Sequence, residues 1–243
     1  MTRTEIDSQP AIWRQALESH SERATELLTL PGASVLVLGC GTSAYVAESF
    51  AALRETAGFG VTDAAYASEP WPWRNYDAVI VLSRSGTTTE VVEALDALPE
   101  GVRKIAVTGV ADSPVADRAD DVLLLDFADE ESVVQTRFPT TFLLLARAAL
   151  GEDVTALPDL AEAELARPLG IDPANYGHFV YLGSGWTYGL AQEAALKIRE
   201  AAQAWSESYP CSTTVTARSP SPTRGRSSGS SAVLSRPWST TSR

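Results

Sequence analysis

Ser83-Arg-Ser-Gly-Thr-Thr88 places four hydroxyl side chains within six residues, between the apolar run Asp77-Ala-Val-Ile-Val-Leu82 and a helical pattern from Thr89 to Leu98. The first N–H groups of a helix lack intrahelical partners and its dipole favours negative charge, so this segment suits an anion. Hydroxyls that donate to phosphate oxygens complete such a cradle without net positive charge. Capping accounts for one Ser or Thr here, not for four. A second loop, Gly39-Cys-Gly-Thr-Ser43, follows Ser34-Val-Leu-Val-Leu38; its glycines admit close backbone approach, and Thr42 and Ser43 bring two hydroxyls to a helix start. A tight turn with an N-cap explains those residues equally well. Neither loop has the Gly-Lys-[Ser/Thr] of a nucleotide-binding loop or a full Gly-x-Gly-x-x-Gly, which points to a monophosphate rather than a dinucleotide.

Glu193, Lys197 and Glu200 fall at i, i+4 and i+7 and so share one face of a helix. A carboxylate can move a proton between adjacent carbons of an open-chain sugar when burial and neighbouring charge tune it. An exposed, salt-bridged face gives the same pattern, and residue types alone favour that plainer account. Cys40 has no basic neighbour in sequence to activate it and reads as a small packing residue. His20 and His178 read as surface or strand-edge residues, and two His with two Cys at scattered positions give no metal signature. Trp71-Pro-Trp73 suits core packing at least as well as an interface.

The elements that must position these groups alternate. A helix is predicted over 5–29, then strands at 34–38, 61–67, 77–82, 104–107 and 121–127, with helices at 44–57, 89–98 and 138–150. Strands alternating with helices imply a parallel sheet covered on both faces, whose ligands sit outside the carboxyl ends of the strands. Pro158 to Asn175, with three prolines, reads as a linker. Phe179-Val-Tyr-Leu182, Gly183-Ser-Gly185 and a helix over 187–205 then restart the programme, and Val-Leu-Gly-Cys-Gly-Thr against Tyr-Leu-Gly-Ser-Gly-Trp suggests an internal duplication.

Over 243 residues the chain has room for one or two domains, and its 44% hydrophobic and 21% charged composition is that of a globular protein. A net charge of -12 argues against nonspecific nucleic-acid binding. No apolar run approaches a membrane span, and two cysteines point to a reducing, cytoplasmic setting. The charge is uneven: residues 211–243 hold five Arg and no acidic residue, whereas the first 210 carry 14 basic and 31 acidic residues.

Three motifs, Gly39-Cys-Gly-Thr-Ser43, Ser83-Arg-Ser-Gly-Thr-Thr-Thr-Glu90 and Gln192-Glu-Ala-Ala-Leu-Lys-Ile-Arg-Glu200, together with Glu5-Ile-Asp-Ser-Gln-Pro10, resemble the sugar isomerase (SIS) family. That family includes sugar-phosphate isomerases, deaminases, deglycases and the isomerase half of glucosamine-6-phosphate synthase. The resemblance covers roughly residues 5–210. It implies a flavodoxin-like, three-layer α/β/α fold with a five-stranded parallel sheet, followed by an incomplete second copy. The expected division is an N-terminal helix at 1–30, a first SIS domain at 31–155, a linker at 156–176 and a partial second domain at 177–210. By position, Ser83, Arg84, Ser85 and Thr88 would bind phosphate. Gly41, Thr42 and Ser43 would contact the sugar. Val133 to Thr136, including Val134 and Gln135, would close the pocket, with Gln135 where the family often has Ser. Glu200 would be the catalytic base, with Lys197 and Glu193 beside it. No cofactor or metal is implied, and dimers are.

After Tyr209-Pro210 the resemblance ends where the family continues through His-Gly-Pro. Residues 211–243 are Ser/Thr/Arg-rich, a composition that cannot pack a core and reads as disordered. One permissible coding of Cys211 to Ser219, read two bases on, gives Gln-Tyr-His-Arg-His-Gly-Pro-Ile, so the tail is expected to be out-of-frame translation. A second domain of one strand and one helix would then lack the surface to bury its apolar faces. Besides an isomerase, deaminase or deglycase acting on an amino-sugar phosphate, two readings stay open: a non-catalytic sugar-phosphate sensor and an inactive remnant.

Overall fold

The computed structural model describes residues 1–212 and 231–234. The chain divides into two compact units, Met1–Pro168 and Leu169–Arg243.

The first unit opens with α1 (Thr2–Ser19) and α2 (Ser21–Leu28), where the sequence predicts one helix. The break falls at His20 (φ -125°). There the hydroxyls of Ser19 and Ser21 donate back to the carbonyls of Gln15 and Leu17, a local alternative to the helical ladder. Pro10 lies inside α1 without breaking it. Its ring supplies no N–H to the Ile6 carbonyl, and the neighbouring Gln9 Nε2 donates to that oxygen instead, at 3.2 Å.

β1 (Val35–Gly39), α3 (Thr42–Thr56), β2 (Thr62–Tyr66), β3 (Ala78–Leu82), α4 (Thr89–Ala97), β4 (Arg103–Thr108), β5 (Asp121–Leu124), α5 (Arg137–Ala149) and α6 (Leu157–Ala166) follow. The strands form one parallel sheet in the order β2-β1-β3-β4-β5, the flavodoxin-like order. Every residue of β1 and β3 is buried, as unbroken apolar runs between two helical layers require. On one face Leu36, Leu38, Val79, Val81 and Ala106 pack with Val91, Ala94 and Leu95 of α4. On the other, Phe50 of α3 meets Phe142 of α5 edge-on, with ring centroids 5.4 Å apart. α5 is buried nearly all round because α1 and α2 cover the side that the sheet does not.

Arg54, fully buried near the end of α3, is the fold's hidden fastening. Its guanidinium donates to the carbonyls of Thr29, Leu30, Ala33, Phe59 and Gly60 and to the Thr62 hydroxyl, at 2.6 to 3.4 Å. Burial holds its pKa below the usual arginine value.

Three expectations are corrected. The stretch read as a linker contains α6, which begins with Pro158 in its first turn, a position where the missing N–H costs nothing. Arg14 of α1 bridges to Asp159 and Glu162 of that helix, both at 2.6 Å. The helix read as 187–205 is shorter: α7 spans Thr187–Lys197, a π-helical turn covers Ile198–Ala202, and Gln203 ends it with φ +51°. The second unit also holds more than one strand, because β6 (His178–Gly183) pairs in parallel with β7 (Trp205–Pro210) and with β8 (Ser231–Leu234), in the order β7-β6-β8. β8 falls within the tail read as disordered; residues 213–230 and 235–243 of that tail lie outside the described residues.

Candidate functional site

In the order β2-β1-β3-β4-β5 the chain reverses its direction of travel across the sheet between β1 and β3. A crevice opens outside the carboxyl ends of two such strands. The loops that follow β1 and β3 are the two hydroxyl-bearing loops singled out above. The end of the first loop, the end of β3 and the start of α5 border one small apolar space, lined by Ser43, Val46, Leu82, Phe138, Pro139 and Phe142.

The first loop is shaped by its glycines. A Cβ at Gly39 would stand 2.6 Å from the Ser43 backbone carbon, so only glycine lets the strand end run under the first turn of α3. Gly41 is the N-cap of that helix, with φ +53°. Thr42 and Ser43 are buried and Gly41 is exposed, so the loop presents backbone outward and tucks its hydroxyls beneath. Burial, reinforced by the charge of Glu90, pushes the Cys40 thiol pKa up, and Cys40 packs against the core beside Trp71 and Trp73. That environment disfavours a thiolate nucleophile.

The hydroxyl loop is knitted to itself. Ser83 Oγ and Thr88 Oγ1 lie 3.1 Å apart, and the Thr87 hydroxyl and amide both donate to Ser85 Oγ, at 3.0 and 3.3 Å. Thr88 is the N-cap of α4, yet its hydroxyl bonds to Ser83 rather than to the first-turn N–H groups. Val91 N donates to the Thr88 carbonyl, which leaves the N–H groups of Thr89 and Glu90, both exposed, to an approaching group. Gly86, at φ +65°, is required because a Cβ there would collide with the Ser113 side chain. The guanidinium of Arg84, expected from the resemblance at the phosphate, faces elsewhere: Nη1 donates to Asp129 Oδ1 at 3.1 Å and to the Glu130 carbonyl.

The third segment shows what sequence reading missed. The buried Glu130 carboxylate accepts from Thr136 N (2.6 Å), Thr136 Oγ1 (2.5 Å), Arg137 N (3.0 Å) and Phe138 N (3.1 Å), so the protein's own anion occupies the start of α5. Glu5 does the same for the turn beside it, accepting from the amides of Glu131 (2.8 Å) and Ser132 (3.1 Å). Gln9 Oε1 takes the Thr140 hydroxyl at 2.7 Å, and Arg137 reaches Ser8 Oγ at 3.1 Å. Glu5-Ile-x-x-Gln-Pro10 is thus a clasp that holds segment 129–140 in place. Val134, Gln135 and Thr136 are half-buried there, and Val133 is 90% exposed at the tip. The sequence signal for Glu130 was its position six residues ahead of a Thr-Arg-Phe helix start, outside the usual capping spacing.

In the second unit Lys197 Nζ lies 3.2 Å from Glu193 Oε1 and 2.8 Å from Glu200 Oε2, so the three residues do form one ionic set. Glu200 sits in the π-helical turn, a distortion often found at functional sites. Gly183 and Gly185 repeat Gly39 and Gly41: a Cβ at Gly183 would collide with the Thr187 backbone, and Gly185 also has φ +53°. His20 meets Phe127 at a tilt of 41°, whereas His178 stacks on Trp205 and has its Nε2 3.0 Å from Glu207 Oε2. Among the described residues no group of three or more His, Cys, Asp or Glu could hold a metal ion, and no helix is long and apolar enough to cross a membrane.

A parallel α/β sheet in this order, with hydroxyl-bearing loops at its switch point, defines the flavodoxin-like class of open α/β folds. More particularly, residues 31–150 match the SIS domain family, and the chain carries a SIS domain. A glutamine–fructose-6-phosphate aminotransferase from Pyrobaculum aerophilum is 33% identical over 210 residues, covering 74% of this chain and 34% of that protein. The chain spans about a third of the length of such curated relatives. Among solved structures, a glucosamine-6-phosphate deaminase from Thermotoga maritima superposes with TM-score 0.73 at 24% identity, covering 89% of this chain and 72% of that one. A tagatose-6-phosphate ketose/aldose isomerase from Escherichia coli gives 0.68 at 23%, covering 85% and 67%. These likenesses show the fold.

Proposed function

We propose that the chain binds a sugar phosphate at the carboxyl edge of the first unit's sheet and serves aldose–ketose isomerisation, deamination or deglycation of an amino-sugar phosphate. Glucosamine 6-phosphate and fructose 6-phosphate derivatives are the substrates that fit this reading. The observation that carries it is the loop 83–88, where four hydroxyls and the open first turn of α4 stand together at the switch point. Ser85 and Thr87 offer hydroxyl donors at the exposed rim, while the Ser83–Thr88 pair fixes the floor. Gly41 offers exposed backbone to the sugar beside Thr42 and Ser43, and Val134, Gln135 and Thr136 close over it.

For the chemical step we assign Glu200 as base, with Lys197 and Glu193 as its charged neighbours. For isomerisation its carboxylate would take the proton from the carbon beside the carbonyl while the carbonyl oxygen takes a proton from solvent, leaving an enediol. Returning the first proton to the former carbonyl carbon, as the neighbouring hydroxyl gives its proton back to solvent, completes the shift with no net gain or loss of atoms. Deamination would also take up water and release ammonia. The protein is proposed to act in the cytoplasm as a homodimer, a state that sedimentation analysis measures directly.

Glucosamine 6-phosphate or fructose 6-phosphate should raise the melting temperature of the wild-type chain, by mass action on the folded state. Ser85→Ala should remove that shift. Glu200→Gln should keep it and lower turnover by about 10²- to 10⁴-fold. A Ser85→Ala protein that responds like wild type would overturn the cradle.

A further inference from the structure

Arg84 stands among the hydroxyls of the proposed phosphate loop, yet its side chain is 20% exposed and its Nη1 is spent on Asp129 and on the Glu130 carbonyl. We infer that Arg84 is a positioning residue, which ties the phosphate loop to segment 129–136 and so sets where the sugar-closing residues stand. The inference rests on the proposed placement of phosphate at 83–88.

Three loops cross at this arginine. Its own carbonyl accepts from Gly109 N at 2.9 Å and from Thr108 Oγ1 at 3.3 Å, which fixes the backbone of the hydroxyl loop to the end of β4. At Gly109 a Cβ would stand 3.0 Å from Asp129 Oδ1 and 3.1 Å from the Arg84 carbonyl, so any larger residue at this crossing would push those neighbours back by a few tenths of an ångström. From the far side, Arg137 Nε donates to the Asp129 carbonyl at 2.9 Å, and the Glu130 carboxylate holds the start of α5. Residues 129 and 130 are therefore gripped by the phosphate loop on one side and by α5 on the other. Asp129 also offsets the guanidinium's charge through Nη1, while Arg84 Nε is buried without a hydrogen-bond partner among the described residues. A displacement of loop 83–88 on taking up phosphate is transmitted through Arg84 to the segment that carries Val134, Gln135 and Thr136.

A direct phosphate ligand and a positioning residue predict different losses. With inorganic phosphate and glucosamine 6-phosphate as separate probes, Arg84→Gln should weaken the sugar phosphate about tenfold and leave inorganic phosphate unchanged. Asp129→Asn should do the same, and the double variant should lose no more than either single one, as partners in one interaction require. Hydrogen exchange on the ligand-free protein should show faster exchange across residues 130–136 in both variants. Equal weakening of both probes would make Arg84 a phosphate ligand and overturn the inference, as would unchanged sugar-phosphate affinity or unchanged exchange. If the wild-type chain binds neither probe, the proposed function fails, and the exchange comparison alone decides the role of Arg84.

Discussion

At Gly39 and again at Gly183 a strand runs directly beneath the first turn of the helix it feeds, and two residues later a glycine with φ +53° starts that helix. The two junctions share a backbone solution but not a setting. β1 lies between β2 and β3 and is buried at every position, whereas β6, between β7 and β8, is fully buried only at Phe179 and Gly183. The local geometry follows from the Gly-x-Gly pattern itself, because no other residue fits under the turn. Burial follows from how many layers the neighbours supply, which the pattern does not encode.

The strongest test of that contrast is at the far end of the helices. Arg54→Met in the first unit would leave the carbonyls of residues 29, 30, 33, 59 and 60 without their donor, and Leu30 is already at φ +37°. Denaturant unfolding should show a loss of about 3–5 kcal/mol. Arg199, exposed in the π-helical turn, makes a bond of 3.2 Å to the Ser206 carbonyl, and Arg199→Met should cost less than about 0.5 kcal/mol. Comparable losses at the two sites would break the comparison.

Glycine replacement comes next in size. Gly39→Ala should destabilise by about 2–3 kcal/mol, since the clash is with backbone between packed layers. Gly183→Ala meets backbone too, but in a less buried unit that can yield, and about 1 kcal/mol is expected in the same experiment. The smallest effect is alkaline. Tyr76, buried and donating to Asp63 Oδ2 at 2.6 Å, has its pKa pushed up to about 12, first by burial and then by that carboxylate. The folded chain thus keeps a proton that the unfolded chain gives up near pH 10. This contribution is whole below pH 10 and fades as pH rises towards 12. Tyr76→Phe should flatten the stability profile over that window and lower stability at neutral pH, where the hydroxyl's bond to Asp63 is intact.

The parallel sheet, its buried strands and the two hydroxyl-bearing loops were legible because each rests on a local signal: strands alternating with helices, apolar runs, glycines at strand ends and hydroxyls at helix starts. α6 was not, because its prolines read as breakers although Pro158 lies in the first turn. The π-turn was missed since regular spacing carries Glu193, Lys197 and Glu200 straight through it. Within the site, the hydroxyl loop was plain, but Glu130 caps α5 from six to eight residues ahead, outside the usual spacing. The tasks of Arg84 and Glu5 depend on partners 45 and 126 residues away in the chain, Asp129 and Glu131. No spacing rule reaches that far.

The Glu130 carboxylate fills one helix entrance from within. An incoming phosphate group that drifted to α5 would meet a resident negative charge already satisfied by four donors, and α4 would be the berth left for it. On the proposed placement of phosphate, Glu130 would thus bias an anion away from α5, and Glu130→Gln should weaken that bias.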